Sequence, residues 1–204
     1  MQNHTHIYIP KPGAHRRILT MTTPAPKSKR VETLNYRTGG FHPVHLDDQF
    51  KNGRYTVIHK LGHGGFATVW LARDSTRSRY VALKILAASL SRDSPEVEIL
   101  RRLRSSDGSG HVGKAYVMSM LDHFWIYGPN GDHLCVVSQV GGPSIKQWNE
   151  SPGRRSGTRR LKGNVARKVC LEATEGLAFI HSTGTVHGGM LFSILIARQL
   201  LIVI

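Results

Sequence analysis

Three glycines and one lysine constrain this chain more than any other residues in it. Gly62-His63-Gly64-Gly65-Phe66-Ala67-Thr68-Val69 joins two short apolar runs, Tyr55-Thr56-Val57-Ile58 and Ala67-Thr68-Val69-Trp70-Leu71-Ala72. A glycine cluster there predicts a hairpin whose backbone can approach a bound group closely and aim N–H donors at an anion. A simple tight turn is the plainer reading, and the cluster alone does not exclude it. The next run, Tyr80-Val81-Ala82-Leu83-Lys84-Ile85-Leu86, reads as a third strand and carries Lys84. A lysine ending an apolar stretch ordinarily snorkels to water. Placed directly after a glycine hairpin, it is the positive charge a phosphate needs, and it needs a carboxylate to hold it. Glu98 on the following helix is the natural candidate. Glu96 is the alternative, since one sequence does not fix the helix register.

The rest of the chain is organised around these strands. Residues 1 to about 50 are rich in Pro, Thr, Lys, Arg and His without a sustained period, which reads as a basic leader, disordered over 1–38, with 39–54 as the stretch before the first strand. Asp74 to Ser78 reads as a turn. Pro95 opens a helix through Glu98, Leu100 and Leu103, with Glu in its first turn and Arg further on, as the helix dipole prefers. Ser105 to Gly113 reads as a loop. Two further strands are expected at Val117 to Phe124 and Leu134 to Val140, joined by the Gly-Pro-Asn-Gly turn at 128–131. A basic stretch follows from Ser151 to Lys168, then a helix through Leu171, Leu177 and Ile180. Five strands with one inserted helix, then helical text, predict an α+β lobe over 55–140 and the start of a helical lobe over 141–204.

The formal net charge of +15 favours acidic partners: nucleic acid, an anionic surface or a phosphate-rich ligand. Charge alone does not choose among them. No stretch reaches the ~20 apolar residues needed to cross a bilayer, so no membrane partner is expected. The N-terminus lacks the apolar core of a secretory signal. It is free of acid until Glu32, as transit peptides are, but shows no clear amphipathic helix. Cys135 and Cys170 sit in apolar text and read as buried, reduced thiols of an intracellular protein, with a disulfide the lesser reading. Sequons at Asn3 and Asn149 carry no meaning without secretion. His4/His6 and His42/His45 have ligand-like spacing, but no Cys or carboxylate cluster converges on them, so no metal is assigned there. Trp70, Trp125 and Trp148 read as packing residues. The run Arg154, Arg155, Arg159, Arg160, Lys162 reads as a solvated loop.

Taken together, these motifs resemble a known family. The glycine hairpin and the lysine of the next strand form part of the protein-kinase signature set. Gly53-Arg54-Tyr55, then Lys60-Leu61-Gly62-His63-Gly64-Gly65-Phe66-Ala67-Thr68-Val69-Trp70-Leu71-Ala72-Arg73-Asp74, resembles the opening of an SR-protein kinase domain. Gly39-Gly40-Phe41-His42-Pro43-Val44 resembles the segment these kinases carry before it. Leu121-Asp122-His123-Phe124, Gly128-Pro129-Asn130-Gly131 and His133-Leu134-Cys135-Val136-Val137 resemble their fourth and fifth strands. Gly176-Leu177-Ala178-Phe179-Ile180-His181 resembles the helix before the catalytic loop. The resemblance spans about residues 39 to 190.

It implies a kinase-like N-lobe, a five-stranded antiparallel sheet plus one helix, and a partial helical C-lobe. It implies ATP as ligand, with Leu61, Gly62, His63, Gly64, Gly65, Phe66, Ala67, Val69, Ala82, Lys84, Gln139 and Val140 lining its site and Ser138 as gatekeeper. Lys84 would hold the α- and β-phosphates and Glu98 would orient Lys84. It implies Ser/Thr phosphorylation of protein substrates, Arg/Ser-rich ones among them, and a cytoplasmic or nuclear location. The departures imply impairment. The family's catalytic loop reads His-x-Asp with Asn five residues on, whereas this chain reads His187-Gly188-Gly189-Met190-Leu191-Phe192-Ser193-Ile194. Gly189 stands where the base belongs and Ile194 where the metal-binding Asn belongs. No Asp-Phe-Gly follows before Ile204, so the ligands of the family's Mg2+ are missing and the C-lobe is expected to be truncated. The other readings are a pseudokinase-like interaction protein binding acidic partners or RNA, and a defective gene product.

Overall fold

The computed structural model describes residues 36–106, 110–142 and 162–186 in full, and the backbone of residues 5–8 and 18–21. Two compact units result: residues up to Asn35, and the unit that begins at Tyr36. In the first, β1 (Thr5–Tyr8) pairs antiparallel with β2 (Ile18–Met21), Thr5 facing Met21. The leader was expected to hold no regular structure. The strands form where β-branched Thr5, Ile7, Ile18 and Thr20 concentrate.

The second unit is built on a six-stranded antiparallel sheet. Its strands are β3 (Gln49–Phe50), β4 (Tyr55–His63), β5 (Ala67–Asp74), β6 (Arg79–Leu86), β7 (Met120–Gly128) and β8 (Gly131–Ser138), in the order β3-β4-β5-β6-β8-β7. The expected count was five. The sixth, β3, is a two-residue edge that pairs Gln49 with Thr56 and Phe50 with Tyr55, too short to register as a period. Between Phe50 and Tyr55 the chain turns through Lys51, Asn52 and Gly53, all at positive φ. Strand β4 runs five residues past Ile58, because pairing with β5 continues through the glycine-rich text.

Alternation along the strands gives the sheet two apolar faces. One buries Tyr55, Val57, Trp70, Ala72, Val81, Leu83, Ile85, Cys135 and Val137. The other buries Ala67, Leu86, Leu134, Val136 and Met120 under Leu100 of α2 (Glu96–Ser105). A shorter helix, α1 (Ala88–Ser91), precedes α2. Where a loop was expected after α2, a 3-10 turn forms at Val112–Tyr116. The turn leads into β7 and packs against α3 (Gly163–Ser182), whose Phe179 and Ile180 lie on Leu103 and Val117.

Candidate functional site

Strand register assembles the site. Gly62 lies beside Val69, Val69 beside Lys84, and Lys84 beside Val136, one row across four strands. Directly paired residues of an antiparallel ladder share a face, so Lys84 emerges on the face covered by α2. There its Nζ donates to both carboxylate oxygens of Glu96, at 2.7 and 2.8 Å. Both side chains are half-buried, so the pair is neither fully screened by water nor deprived of it.

Glu98 does not take this part. Its carboxylate accepts from Arg101 at 2.8 Å on the exposed side of the helix. The reason is the helical period. Glu96, Leu100 and Leu103 form one stripe at i, i+4 and i+7, and the two leucines are buried. Glu98 stands two residues before Leu100, roughly 200° around a helix of 3.6 residues per turn. The expected assignment of Glu98 is therefore corrected to Glu96, and a helical wheel drawn on Leu100 and Leu103 carries that signal in the sequence.

The glycine hairpin closes with Gly64 N–H donating to the Ala67 carbonyl at 2.9 Å. Gly62, Gly64 and Gly65 do not have positive φ, and a Cβ built on any of them would meet nothing within 4 Å. Neither backbone conformation nor internal packing requires glycine here. Gly62 lies within β4, where glycine costs roughly 0.5–1 kcal/mol relative to alanine, and Gly64 and Gly65 follow in the connection, so the absence of three side chains points outward, to the space above the hairpin. Phe66 at the tip is 69% exposed, and its carbonyl accepts from Ala87 N–H at 2.9 Å. Ala67 is buried, while His63 is exposed.

Ala82 faces Leu71 on one side and Ser138 on the other, in the row next to that of Lys84 and on the same face. Leu61 is the extra residue of a bulge between Lys60 and Gly62. Ser138 is buried at the end of β8, and its hydroxyl donates to the Gln139 carbonyl at 3.2 Å. Gln139 and Val140 follow it, both half-buried. His187, Gly189 and Ile194 lie outside the described residues, as do Trp148 and residues 154–161 of the basic run.

The remaining candidates separate. Cys135 is buried, and burial raises its thiol well above the usual range. Cys170 is exposed on α3, against expectation, and both thiols are free. Trp70 is a core residue, whereas Trp125 is 39% exposed on the edge strand. His45 is exposed and paired with Asp48, but His42 is buried against His133, so the two do not form a ligand pair. Among the described residues no three His, Cys, Asp or Glu side chains converge to hold a metal ion. No described helix is long and apolar enough to cross a membrane.

Comparison with known proteins adds relatives. The chain is 36% identical over 165 residues to protein kinase dsk1 of Schizosaccharomyces pombe, covering 79% of this chain and 29% of that protein. It is 37% identical over 163 residues to serine/threonine-protein kinase spk-1 of Caenorhabditis elegans, covering 78% and 16%. It is 32% identical over 177 residues to SRSF protein kinase 3 of Mus musculus, covering 80% and 30%. The chain thus spans less than a third of the length of these relatives. A scan against models of protein families gives no match.

Proposed function

We propose, from the premise that this chain belongs to the SR-protein kinase family of serine/threonine kinases, that residues 55–140 bind ATP between the glycine hairpin and the Lys84 face. The observation that carries this reading is the Lys84–Glu96 pair, set in one strand row with Gly62 and Val69. In this reading the hairpin N–H groups face the phosphates, and Lys84 donates to the α- and β-phosphate oxygens. Glu96 keeps the Lys84 ammonium from swinging to solvent. Leu61, Val69 and Ala82 give the adenine an apolar wall, and the backbone of Gln139 and Val140 supplies its polar edge. Residues 141–204 begin the second lobe. Transfer of the γ-phosphoryl group to Ser or Thr of an Arg/Ser-rich protein is the reaction of the whole protein. Among the described residues no three acidic, His or Cys side chains converge on a Mg2+ site, and positions 189 and 194, where the family's catalytic base and metal-binding Asn would stand, lie outside those residues.

Thermal-shift titration tests the reading. ATP at about ten times its Kd should stabilise the fold by about 1.4 kcal/mol, and Lys84→Ala should abolish the shift. An equal shift in Lys84→Ala, or none in folded wild type, overturns the proposal.

A further inference from the structure

Residues 39–42 are built into the lobe rather than merely leading to it. Helix α1 has no side-chain cap. Its first N–H groups are taken instead by this segment: Ala88 N–H donates to the Gly40 carbonyl at 3.0 Å and Ser89 N–H to the Gly39 carbonyl at 2.9 Å. Gly39 N–H donates to the Asn130 carbonyl at 2.8 Å, and Asn130 Nδ2 donates to the Phe41 carbonyl at 2.6 Å. Phe41 is buried. The same junction, residues 86–89, holds the tip of the glycine hairpin, because Ala87 N–H donates to the Phe66 carbonyl.

His42 anchors the segment. Its ring lies 5.0 Å from that of His133, edge to face, and only 9% of the residue is exposed. It also rests on Gly128, where a Cβ would overlap it. His133 is fully buried. Its Nδ1 lies 2.9 Å from the Leu86 carbonyl, which can only accept, so Nδ1 carries the proton. His133 Nε2 and His42 Nδ1 have no hydrogen-bond partner among the described residues.

We propose that residues 39–42 form a clamp that positions the glycine hairpin through the Leu86–Ser89 junction, and that protonation of the buried His42 beside His133 releases it. Buried polar groups without partners are costly, and a buried charge more so. Around His42 the ionisable groups are His133 on β8 and Asp48 before β3; Phe50 on β3 and Gly128 on β7 bring no charge. Burial and then His133 lower the His42 pKa from 6.5 to about 4, against a weaker pull from Asp48. The sign follows. The released ring binds protons below about 6.5 and the docked ring does not, so docking is full above that pH and weakens as pH falls towards 4. Between pH 7 and pH 5 the docking equilibrium should shift by about twentyfold. The positioning role rests on the reading that the hairpin covers nucleotide.

The test is amide exchange of the whole chain at pH 7 and pH 5, corrected for intrinsic rates, without nucleotide. In wild type the protection of residues 86–91 should fall about twentyfold, and residues 62–69 should follow. In His42→Phe, which keeps a ring but cannot titrate, both should stay flat. Gly128→Ala, which forces the ring out, should loosen 86–91 already at pH 7. An unchanged wild type, or an equal fall in His42→Phe, overturns the clamp. Loosening of 86–91 without 62–69 overturns its positioning role. Failure to bind ATP at pH 7 would sink the nucleotide reading and leave the exchange result to decide the clamp.

Discussion

Arg54 and two carboxylates tie the far side of the sheet together. Its guanidinium makes a bidentate pair with Asp74, at 2.9 and 3.0 Å, and reaches Asp122 at 3.2 Å. Asp122 also accepts from Lys51 at 2.6 Å and from the Tyr55 hydroxyl at 2.7 Å. Asp74 is fully buried and accepts from the N–H groups of Thr76 and Arg77. Hydrogen bonding from Arg54 lowers its pKa against the cost of burial. For Asp122 burial raises the pKa, but Lys51, Tyr55 and the His123 N–H outweigh it and the net shift is down. Both groups stabilise the fold fully above the ordinary carboxylate range, and that contribution is lost as pH falls below it. Removing one partner of a fully buried ion pair costs roughly 3–5 kcal/mol. Arg54 is a quarter exposed and keeps Asp122, so Asp74→Asn should cost less, about 2 kcal/mol. A urea midpoint shows this, and an unchanged midpoint would refute it. The sequence names Arg54 and Asp74 only as members of a motif. Their pairing depends on β4 and β5 lying in register, which no local signal carries.

At the scale of elements, α2 is where reading and structure part most usefully. Its start after Pro95 and its first-turn acids were legible, and the helix forms over Glu96–Ser105. Position on the helix favours Glu98 for Lys84 with Glu96 as the alternative, and the apolar stripe decides for Glu96. Glu96→Gln should remove the ATP-induced thermal shift by freeing Lys84 from its carboxylate. Glu98→Gln should leave the shift intact, since an exposed i,i+3 pair is worth only a few tenths of a kcal/mol. The reverse pattern would restore Glu98. The strands were legible from β-branched and aromatic runs, with errors at their ends. The glycines of β4 looked like a strand terminus, and β7 starts at Met120, three residues later than its apolar text, because Val117 caps the preceding 3-10 turn. The strand row joining Gly62, Val69, Lys84 and Val136 is a tertiary fact. The sequence supplies its members and their order, while sheet pairing supplies the adjacency. His42 shows the same limit: its spacing to His45 is ligand-like with no cluster to support it, and the ring it packs on, His133, is distant in sequence.

In the unit that begins at Tyr36, the sheet, α2 and α3 are linked in series. One apolar cluster joins the sheet to Leu100 of α2, and another joins Leu103 to Phe179 and Ile180 of α3. The second contact depends on close approach. Gly113 in the 3-10 turn lies against the backbone of α3, and a Cβ there would overlap the Glu175 carbonyl, which cannot rotate away. Nearby, the His111 ring lies 5.5 Å from that of Phe179, and Lys114 Nζ caps α2 by donating to the carbonyls of Arg104 and Ser106. Gly113→Ala must therefore push α3 away from the turn or break the turn. Overpacking of this kind costs typically 1–3 kcal/mol. The loss should fall on α3, because the larger clusters on the sheet share no atom with the contact and local units open separately. Amide exchange should rise across 163–182 while 81–86 and 134–137 keep their protection. Helical circular dichroism should drop with no change in the environment of Trp70, which is buried on the opposite face of the sheet. Equal loss in both regions would mean that sheet and α3 unfold as one cooperative body. No loss in α3 would mean that Gly113 is not what brings the helix close.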